Sequence, residues 1–236
     1  MQAREYTREY IEQLLTAPDQ LLAMDKGTLK RIFGSEVARM RGYDQNNPHH
    51  CYDLLTHTVK TIEGLACFCR DKAALPLLRV AALLHDVGKP QVMRMKEGRS
   101  VYYGHAERSA QIARPLLSAM GYTAEETARI LFFITHHDAF IGFKLPEELR
   151  GVQNTGVQTI NVQSVTKLVG RICTKQRGAG FSPTKADFID LLALSAADAS
   201  AQSERAVMRG KTVDTRAQKL RRNQAILQIV NGIEKI

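Results

Sequence analysis

A histidine and an aspartate stand side by side at the end of an apolar stretch, and both are metal-ligand side chains. Val80–Leu84 is followed by His85 and Asp86, and its composition predicts a helix that Gly88 ends. A carboxylate buried beside leucines costs on the order of several kcal/mol unless a cation compensates it. Imidazole and carboxylate are common ligands of first-row divalent metals. For the dipeptide alone, a histidine that caps the helix beside an exposed aspartate remains the favoured interpretation.

Two further residues make a metal centre the better interpretation. His57 lies among leucine and valine residues of the preceding predicted helix, and Asp198 lies at helical spacing from Leu194. Each of them alone is more often a satisfied core residue than a ligand. Together with His85 and Asp86 they form a set of nitrogen and oxygen ligands that leaves positions open for water, as a hydrolytic metal centre requires.

The order of these residues resembles a known signature. His57, the run His85–Lys89 (HDVGK) and Asp198 match the H…HD…D pattern of HD-domain metal-dependent phosphohydrolases. Three flanking segments make the sequence similar to the HD domain attached to some bacterial CCA-adding tRNA nucleotidyltransferases: Gln45–His50, Tyr103–His105 and His137-Asp138. In those enzymes a nucleotidyltransferase head with a D-x-D metal site precedes the HD domain. This sequence has no D-x-D and no room for a head before His57, so a free-standing HD domain without CCA addition is expected.

The resemblance implies a set of site residues and a metal cofactor. One divalent cation (Mn, Fe, Ni, Co, Zn or Mg) is expected on four ligands: His57, His85, Asp86 and Asp198. A second ion has three candidate ligands: His105, His136 and His137. His137 fits the family position better than His136 does. His105 has an alternative role as a hydrogen-bond donor to substrate phosphate.

The resemblance also implies which side chains act on the substrate. The expected catalytic residues are Asp86, Lys89 and His105, and the expected phosphate contacts are Lys89, Arg94 and Lys96. For Lys89, a solvated lysine beside the negative end of the helix dipole is a nearly equal alternative.

The function implied is that of a phosphohydrolase acting through a metal-activated water. Its substrate is expected to be a nucleotide, a cyclic phosphodiester or an RNA-end phosphate. The alternative is a tRNA-binding or regulatory HD module that has lost catalysis. The intact ligand set argues against this alternative, and the basic C-terminal segment argues for it.

The composition is that of an ordinary globular chain. The 236 residues are 44% hydrophobic and 24% charged, and the net charge of +9 favours polyanionic partners such as nucleotides or RNA. Apolar runs are far shorter than the ~20 residues that span a bilayer, and the polar N-terminus does not resemble a signal peptide. The four cysteines show no C-x-x-C spacing. A reduced, cytoplasmic protein without a membrane partner is expected, and the oligomeric state is left open.

The hydrophobic periodicity predicts an all-α fold. We expect a single HD-domain helical bundle with short N-terminal helices and a basic C-terminal helix. The expected divisions are a helical segment and loop over residues 1–50, the HD domain over 51–203, and a basic helical tail over 204–236.

Local signals predict several helix starts and one loop. Asp53 is a predicted helix cap, Thr123–Glu126 a predicted capping box, and Ser182-Pro183 the predicted start of the last core helix. Gly88–Gly104 is expected to be a basic loop. Val157–Val165 comes nearest to a strand pattern and is ambiguous.

The C-terminal segment is strongly basic. Arg205–Arg222 holds seven cations against one acid, Asp214, and Ile226 and Val230 are expected to pack this helix on the core. A solvated helical face is favoured over an RNA-binding patch. Because few aromatic side chains are available to stack on bases, any RNA binding is expected to be weak and electrostatic.

Overall fold

The structure is a computed structural model that describes residues 7–145, 158–208, 211–234 and 236. The helices are α1 (Arg8–Leu14), α2 (Gln20–Ala23), α3 (Lys26–Phe33), α4 (Ser35–Met40), α5 (Leu54–Phe68), α6 (Leu75–Leu84), α7 (Lys89–Val92), α8 (His105–Ala119), α9 (Ala124–His136), α10 (Val162–Gly178), α11 (Lys185–Ser200) and α12 (Thr215–Gly232). The strands are short and pair two by two: β1 (Arg94–Lys96) with β2 (Arg99–Val101), β3 (Phe143–Lys144) with β4 (Gln158–Thr159), and β5 (Arg205–Met208) with β6 (Lys211–Asp214). None of the helices in these ranges is both long and apolar enough to cross a membrane.

Five helices form the centre of the bundle. Helix α5 packs against α6 and α11, and α9 packs against α6 and α8. Helix α12 packs along α11. The apolar faces of these helices bury a continuous core of leucine, isoleucine, valine and phenylalanine side chains. The prediction of an all-α bundle is therefore confirmed.

The helix starts follow local capping chemistry. Asp53 accepts a hydrogen bond from the third amide of α5, and Thr123–Glu126 forms the reciprocal capping box at the start of α9, as predicted. Helix α11 differs from the prediction, because Thr184 rather than Ser182-Pro183 is its cap. Asp187 completes a second capping box with Thr184.

The predicted basic loop Gly88–Gly104 contains a short antiparallel hairpin. Strands β1 and β2 are joined by Glu97 and Gly98, which both have positive φ angles, 51° and 75°. Two successive residues of this kind are typical of the tight turns that join antiparallel strands. The amide of Ser100 donates to the carbonyl of Asn46, which ties the hairpin to the loop before α5. Strands of three residues are too short for an alternating pattern to reveal them in the sequence.

A second hairpin replaces the first part of the predicted helical tail. Strands β5 and β6 pair over residues 205–214, and the helix begins only at Thr215, where Asp214 accepts from the amide of Ala217. Ile226 and Val230 of α12 are fully buried, as predicted. Arg209, one of the seven cations, lies outside the described residues.

Candidate metal centre

Six metal-ligand side chains from five helices meet in one place. They are His57 in the first turn of α5, His85 and Asp86 at the end of α6, His105 at the start of α8, His137 at the end of α9 and Asp198 in the last turn of α11. The bundle therefore gathers helix ends that are far apart in the sequence. All six were candidate ligands from the sequence, four for the first ion and two for the second.

Each of the four histidines is held by its Nδ1 atom on a backbone carbonyl. The Nδ1 contacts are His57 to Ala201 O at 3.3 Å, His85 to Ala82 O at 2.7 Å, His105 to Tyr102 O at 2.9 Å and His137 to Ile134 O at 2.7 Å. Two of these acceptors belong to the last turns of α6 and α9, where carbonyls have no partner within the helix. Because a carbonyl only accepts, Nδ1 carries the hydrogen in each ring. Every Nε2 atom is then the one that faces the cluster, which is the arrangement of metal-ligating histidines.

The first group of ligand atoms consists of two imidazole nitrogens and one oxygen from each of the two carboxylates. His57 Nε2 lies 2.9 Å from Asp198 Oδ1 and 3.6 Å from Asp86 Oδ2. His85 Nε2 lies 3.2 Å from Asp86 Oδ2 and 3.8 Å from Asp198 Oδ1. These are the four residues expected to hold the first ion.

The other oxygen of Asp86 faces a second group. Asp86 Oδ1 lies 3.3 Å from His105 Nε2 and 3.8 Å from His137 Nε2. The two Nε2 atoms of His105 and His137 are themselves 3.1 Å apart. Since their Nδ1 atoms carry the hydrogens, these two lone pairs repel each other unless a proton or a cation lies between them.

The donor set fits a divalent cation. His57, His85 and Asp86 place one ligand atom each within 4.8 Å of one another, and so do Asp86, His105 and His137. Two atoms that each lie about 2.1 Å from one ion are about 3.0–3.4 Å apart in octahedral or tetrahedral geometry. Most of the distances above lie close to that range. His57 Nε2, His85 Nε2 and Asp86 Oδ1 are buried and have no hydrogen-bond partner among the described residues, so a ligated cation would satisfy three costly polar atoms at once.

The electrostatics of the cluster also favour bound positive charge. Burial raises the pKa of Asp86, but the charges of His85 and Lys89 outweigh it and hold this pKa well below 3.8. The pKa of Asp198 is likewise held well below 3.8, because the contacts with His57 and His85 outweigh burial. Burial lowers the pKa of His85, whereas the charges of Asp86 and Asp198 raise it to about 10. Both carboxylates are therefore ionised in a buried site, and they require cations beside them.

Lys89 supplies one of these cations. Its Nζ lies 2.6 Å from Asp86 Oδ2 and 2.9 Å from Gln45 Oε1, and the residue is only 5% exposed. The alternative of a solvated lysine at the helix end is therefore wrong. Lys89 lies inside the site, against the same carboxylate oxygen that faces His57 and His85.

Three predicted site residues lie away from this cluster. His136 is buried, but its Nε2 accepts from Gln176 at 2.8 Å and its ring packs on Phe132. Residues His136 and His137 are successive positions at a helix end, so their side chains leave the axis in different directions, and only His137 reaches Asp86. Arg94 and Lys96 lie on the exposed strand β1, and within the described part of the chain no contact joins them to the ligand cluster.

Two residues near the cluster were not predicted from the sequence to belong to the site. Gln202, just after α11, donates from Nε2 to both carboxylate oxygens of Asp198 at 3.2 Å. Its Oε1 accepts from Lys219 Nζ of α12. Gln202 follows Asp198 at the i, i+4 spacing of neighbouring helical side chains, which is a local signal that could have identified it. No local signal identifies Lys219, because its contact with Gln202 joins α12 to the end of α11.

Comparison with known proteins agrees with this geometry. The sequence model of the HD domain family matches residues 54–160. The chain is 31% identical over 157 residues to a CC-adding tRNA nucleotidyltransferase of Thermus thermophilus, covering 64% of this chain and 34% of that protein. It is 29% identical over 140 residues to an A-adding tRNA nucleotidyltransferase of Deinococcus radiodurans, covering 57% and 32%. It is 28% identical over 152 residues to a bifunctional uridylyltransferase/uridylyl-removing enzyme of Cereibacter sphaeroides, covering 57% and 15%.

The shared part is limited to one segment of each relative. The chain spans about a third of the length of the two tRNA nucleotidyltransferases and less of the third relative. Asp198 lies beyond the segment that the family model matches, yet the fold brings it against His57. Residues 54–160 of this chain are an HD domain, and it resembles the HD domain of tRNA nucleotidyltransferases.

Proposed function

We propose that this protein is a metal-dependent phosphohydrolase that acts on a nucleotide, a cyclic phosphodiester or an RNA-end phosphate. The observation that carries the proposal is the common orientation of four histidines. Each has Nδ1 on a carbonyl and Nε2 directed at the ionised Asp86, and two of them, His57 and His85, also face Asp198. A core that needed only packing would not orient four imidazoles in this way around buried charge.

The ligand atoms divide into two ion sites that share Asp86. His57, His85, Asp86 Oδ2 and Asp198 Oδ1 would hold one divalent cation, and Asp86 Oδ1, His105 and His137 would hold a second. A bound divalent cation supplies Lewis acidity and lowers the pKa of a water molecule. We include α11 in the same domain as the matched segment, since it carries Asp198.

Lys89 would act on the phosphate that is hydrolysed. Its ammonium group is buried beside Asp86. The lysine side chain is therefore held in one position at the ligand cluster. A positive charge fixed there stabilises negative charge that develops on a phosphoryl oxygen. Arg94 and Lys96, being exposed on the hairpin, would contact only a substrate that extends out of the site.

The substrate class rests on charge and on the relatives. The net charge of +9 favours anionic ligands. The names of two relatives refer to tRNA, and the name of the third includes uridylyl removal. Nucleotides and RNA-end phosphates share the phosphate ester that such a site would cleave.

A metal-binding and hydrolysis experiment with neighbouring variants tests the proposal. Purified protein would be loaded with Mn²⁺, Ni²⁺, Co²⁺, Zn²⁺ or Mg²⁺, and the bound metal would be measured by elemental analysis. Hydrolysis would be measured with p-nitrophenyl phosphate, 5′-AMP and 2′,3′-cyclic AMP. We expect Asp198→Asn and His137→Ala to lose bound metal and at least tenfold in kcat/KM.

His136→Ala is the matched control. It removes the adjacent imidazole, which lies away from the cluster, and it should retain both metal and activity. The proposal is refuted if the wild-type protein hydrolyses none of these substrates with any of the five metals. It is also refuted if His136→Ala and His137→Ala lose metal to the same extent.

A further inference from the structure

We propose that α12 provides a second phosphate-binding subsite, formed by Lys219 and Arg222, and that the substrate carries a second phosphate group beside the one that is hydrolysed. The inference rests on the proposed phosphohydrolase function and names the chemistry of its substrate more closely. Adjacent phosphates occur in nucleoside bisphosphates and in oligonucleotides.

The first observation is that α12 and the ligand cluster line the same cavity. Its walls include His137 and Asp198 from the cluster and Lys219, Arg222 and Asn223 from α12. Basic side chains of the C-terminal helix therefore border the space beside the cluster. The charge of this helix is in part directed into the site and is not only a solvated surface.

The second observation is a chain of hydrogen bonds that sets the position of Lys219. Its Nζ donates to Gln202 Oε1, and Gln202 Nε2 donates to both oxygens of Asp198 at 3.2 Å. The Gln202 carbonyl accepts from Arg216 at 2.6 and 3.1 Å, which fastens α12 to the end of α11. Lys219 is thus held one amide group away from a candidate metal ligand. It lines the cavity together with Asp198 and reaches that carboxylate only through Gln202.

The third observation is the concentration of positive charge. Lys219 is half-buried, and burial together with the charges of Arg222, Lys89 and Lys144 lowers its pKa, while Asp198 raises it. Gathering cations around one carboxylate works against folding, and such clusters are typical of sites that bind anions. The packing of α12 does not need these charges, since Ile226 and Val230 anchor the helix in the core.

The buried Lys89 and the half-buried Lys219 lie at different carboxylates. Lys89 contacts Asp86 directly, whereas Lys219 reaches Asp198 through Gln202. A single phosphate at the ion sites would be matched by the ligated cations and by Lys89. Lys219 and Arg222 line the same cavity beyond these groups, and charge-assisted hydrogen bonds to phosphate oxygens are the interaction that both side chains provide best.

Binding measurements with one-phosphate and two-phosphate ligands test the subsite. Isothermal titration calorimetry with the Mg²⁺-loaded protein would compare 5′-AMP, adenosine 3′,5′-bisphosphate and the dinucleotide pApA. We expect the wild-type protein to bind one of the two-phosphate ligands at least tenfold more tightly than 5′-AMP. Lys219→Gln and Arg222→Gln should each reduce that preference at least fivefold. Stronger binding of pApA identifies an oligonucleotide as the source of the second phosphate, and stronger binding of the bisphosphate identifies a nucleotide.

Arg221→Gln is the matched control, because Arg221 precedes Arg222 on α12 but is exposed. It makes the same change of charge and should leave the preference intact. Equal loss in Arg221→Gln and Arg222→Gln would overturn the subsite, because the effect would then be one of net charge. A wild-type protein without preference for two phosphates would also overturn it. Neither binding result depends on turnover. A protein that prefers two-phosphate ligands but hydrolyses none of the substrates would therefore refute the phosphohydrolase proposal and support the subsite.

Discussion

The buried pair of Asp86 and Lys89 predicts unequal costs for removing either partner. Their charged atoms lie 2.6 Å apart, and the residues are 1% and 5% exposed. After Asp86→Asn, the ammonium of Lys89 loses its carboxylate partner and keeps uncharged contacts, with Gln45 Oε1 at 2.9 Å and with the Tyr102 ring at 5.5 Å. After Lys89→Met, Asp86 still has His85 at 3.2 Å and His105 at 3.3 Å beside it.

The magnitudes follow from these remaining partners. Removing one partner of a buried ion pair costs about 3–5 kcal/mol when the other charge is left uncompensated. Asp86→Asn is therefore expected to lower the free energy of unfolding by about 4 kcal/mol. Lys89→Met should cost about 1–2 kcal/mol, because two imidazoles remain to compensate Asp86. The double variant removes both charges of the pair, so it should lower the free energy of unfolding by about 2 kcal/mol. The two single costs together exceed this value by about 3 kcal/mol, and this difference is the coupling energy of the pair.

Urea unfolding in the presence of a chelator measures all four proteins under one condition. Glu204→Gln serves as the control, since its ion pair with Arg216 is exposed and should be worth less than about 1 kcal/mol. A carboxylate that metal alone compensates would behave in the opposite way, and its removal would raise the stability of the chelated protein. The reasoning is refuted if Asp86→Asn is as stable as the wild type, or if the two single costs simply add.

Three further predictions concern packing, pH and metal linkage. A Cβ on Gly88 would lie 2.6 Å from the amide nitrogen of Ser109, so Gly88→Ala should destabilise the fold by about 1–3 kcal/mol in urea unfolding. Gly170→Ala, in open space on α10, should instead gain up to about 1 kcal/mol; similar effects at both glycines would contradict the close approach of α8. Burial, only partly offset by Arg129, raises the pKa of Asp190 to about 6. The native state therefore favours the protonated carboxyl, and the stability that Asp190 contributes is present below about pH 4 and is lost as the pH rises through 6. Asp190→Asn should therefore gain about 2–3 kcal/mol relative to wild type between pH 4 and pH 6.5, and a difference that does not change with pH would show that this carboxyl is not shifted. Divalent metal at one hundred times its Kd should raise the unfolding free energy of the wild type by about 2.7 kcal/mol, and an unchanged midpoint in thermal scans would contradict binding to the native state.

The residue types and their order determine much of the ligand set and of the helical core. His57, the His85-Asp86 pair and Asp198 each stand in an apolar helical stretch, and burial follows from the periodicity of their neighbours. The caps at Asp53 and Thr123 were also predictable, because a capping hydrogen bond joins residues three positions apart. Interactions of this kind depend on local sequence, which is why they can be derived without coordinates.

Contacts between distant elements were decided only by the tertiary structure. Which of His136 and His137 reaches Asp86 depends on the exact rotation of the end of α9 against α6, and adjacent helical positions differ by about 100°. The basic C-terminal segment was predicted to be a solvated face, and only the packing of α12 on α11 brings Lys219 to Gln202 and the ligand cluster. Helical periodicity determines which face of a helix is buried, but it contains no information about which other helix covers that face or which side chains meet there.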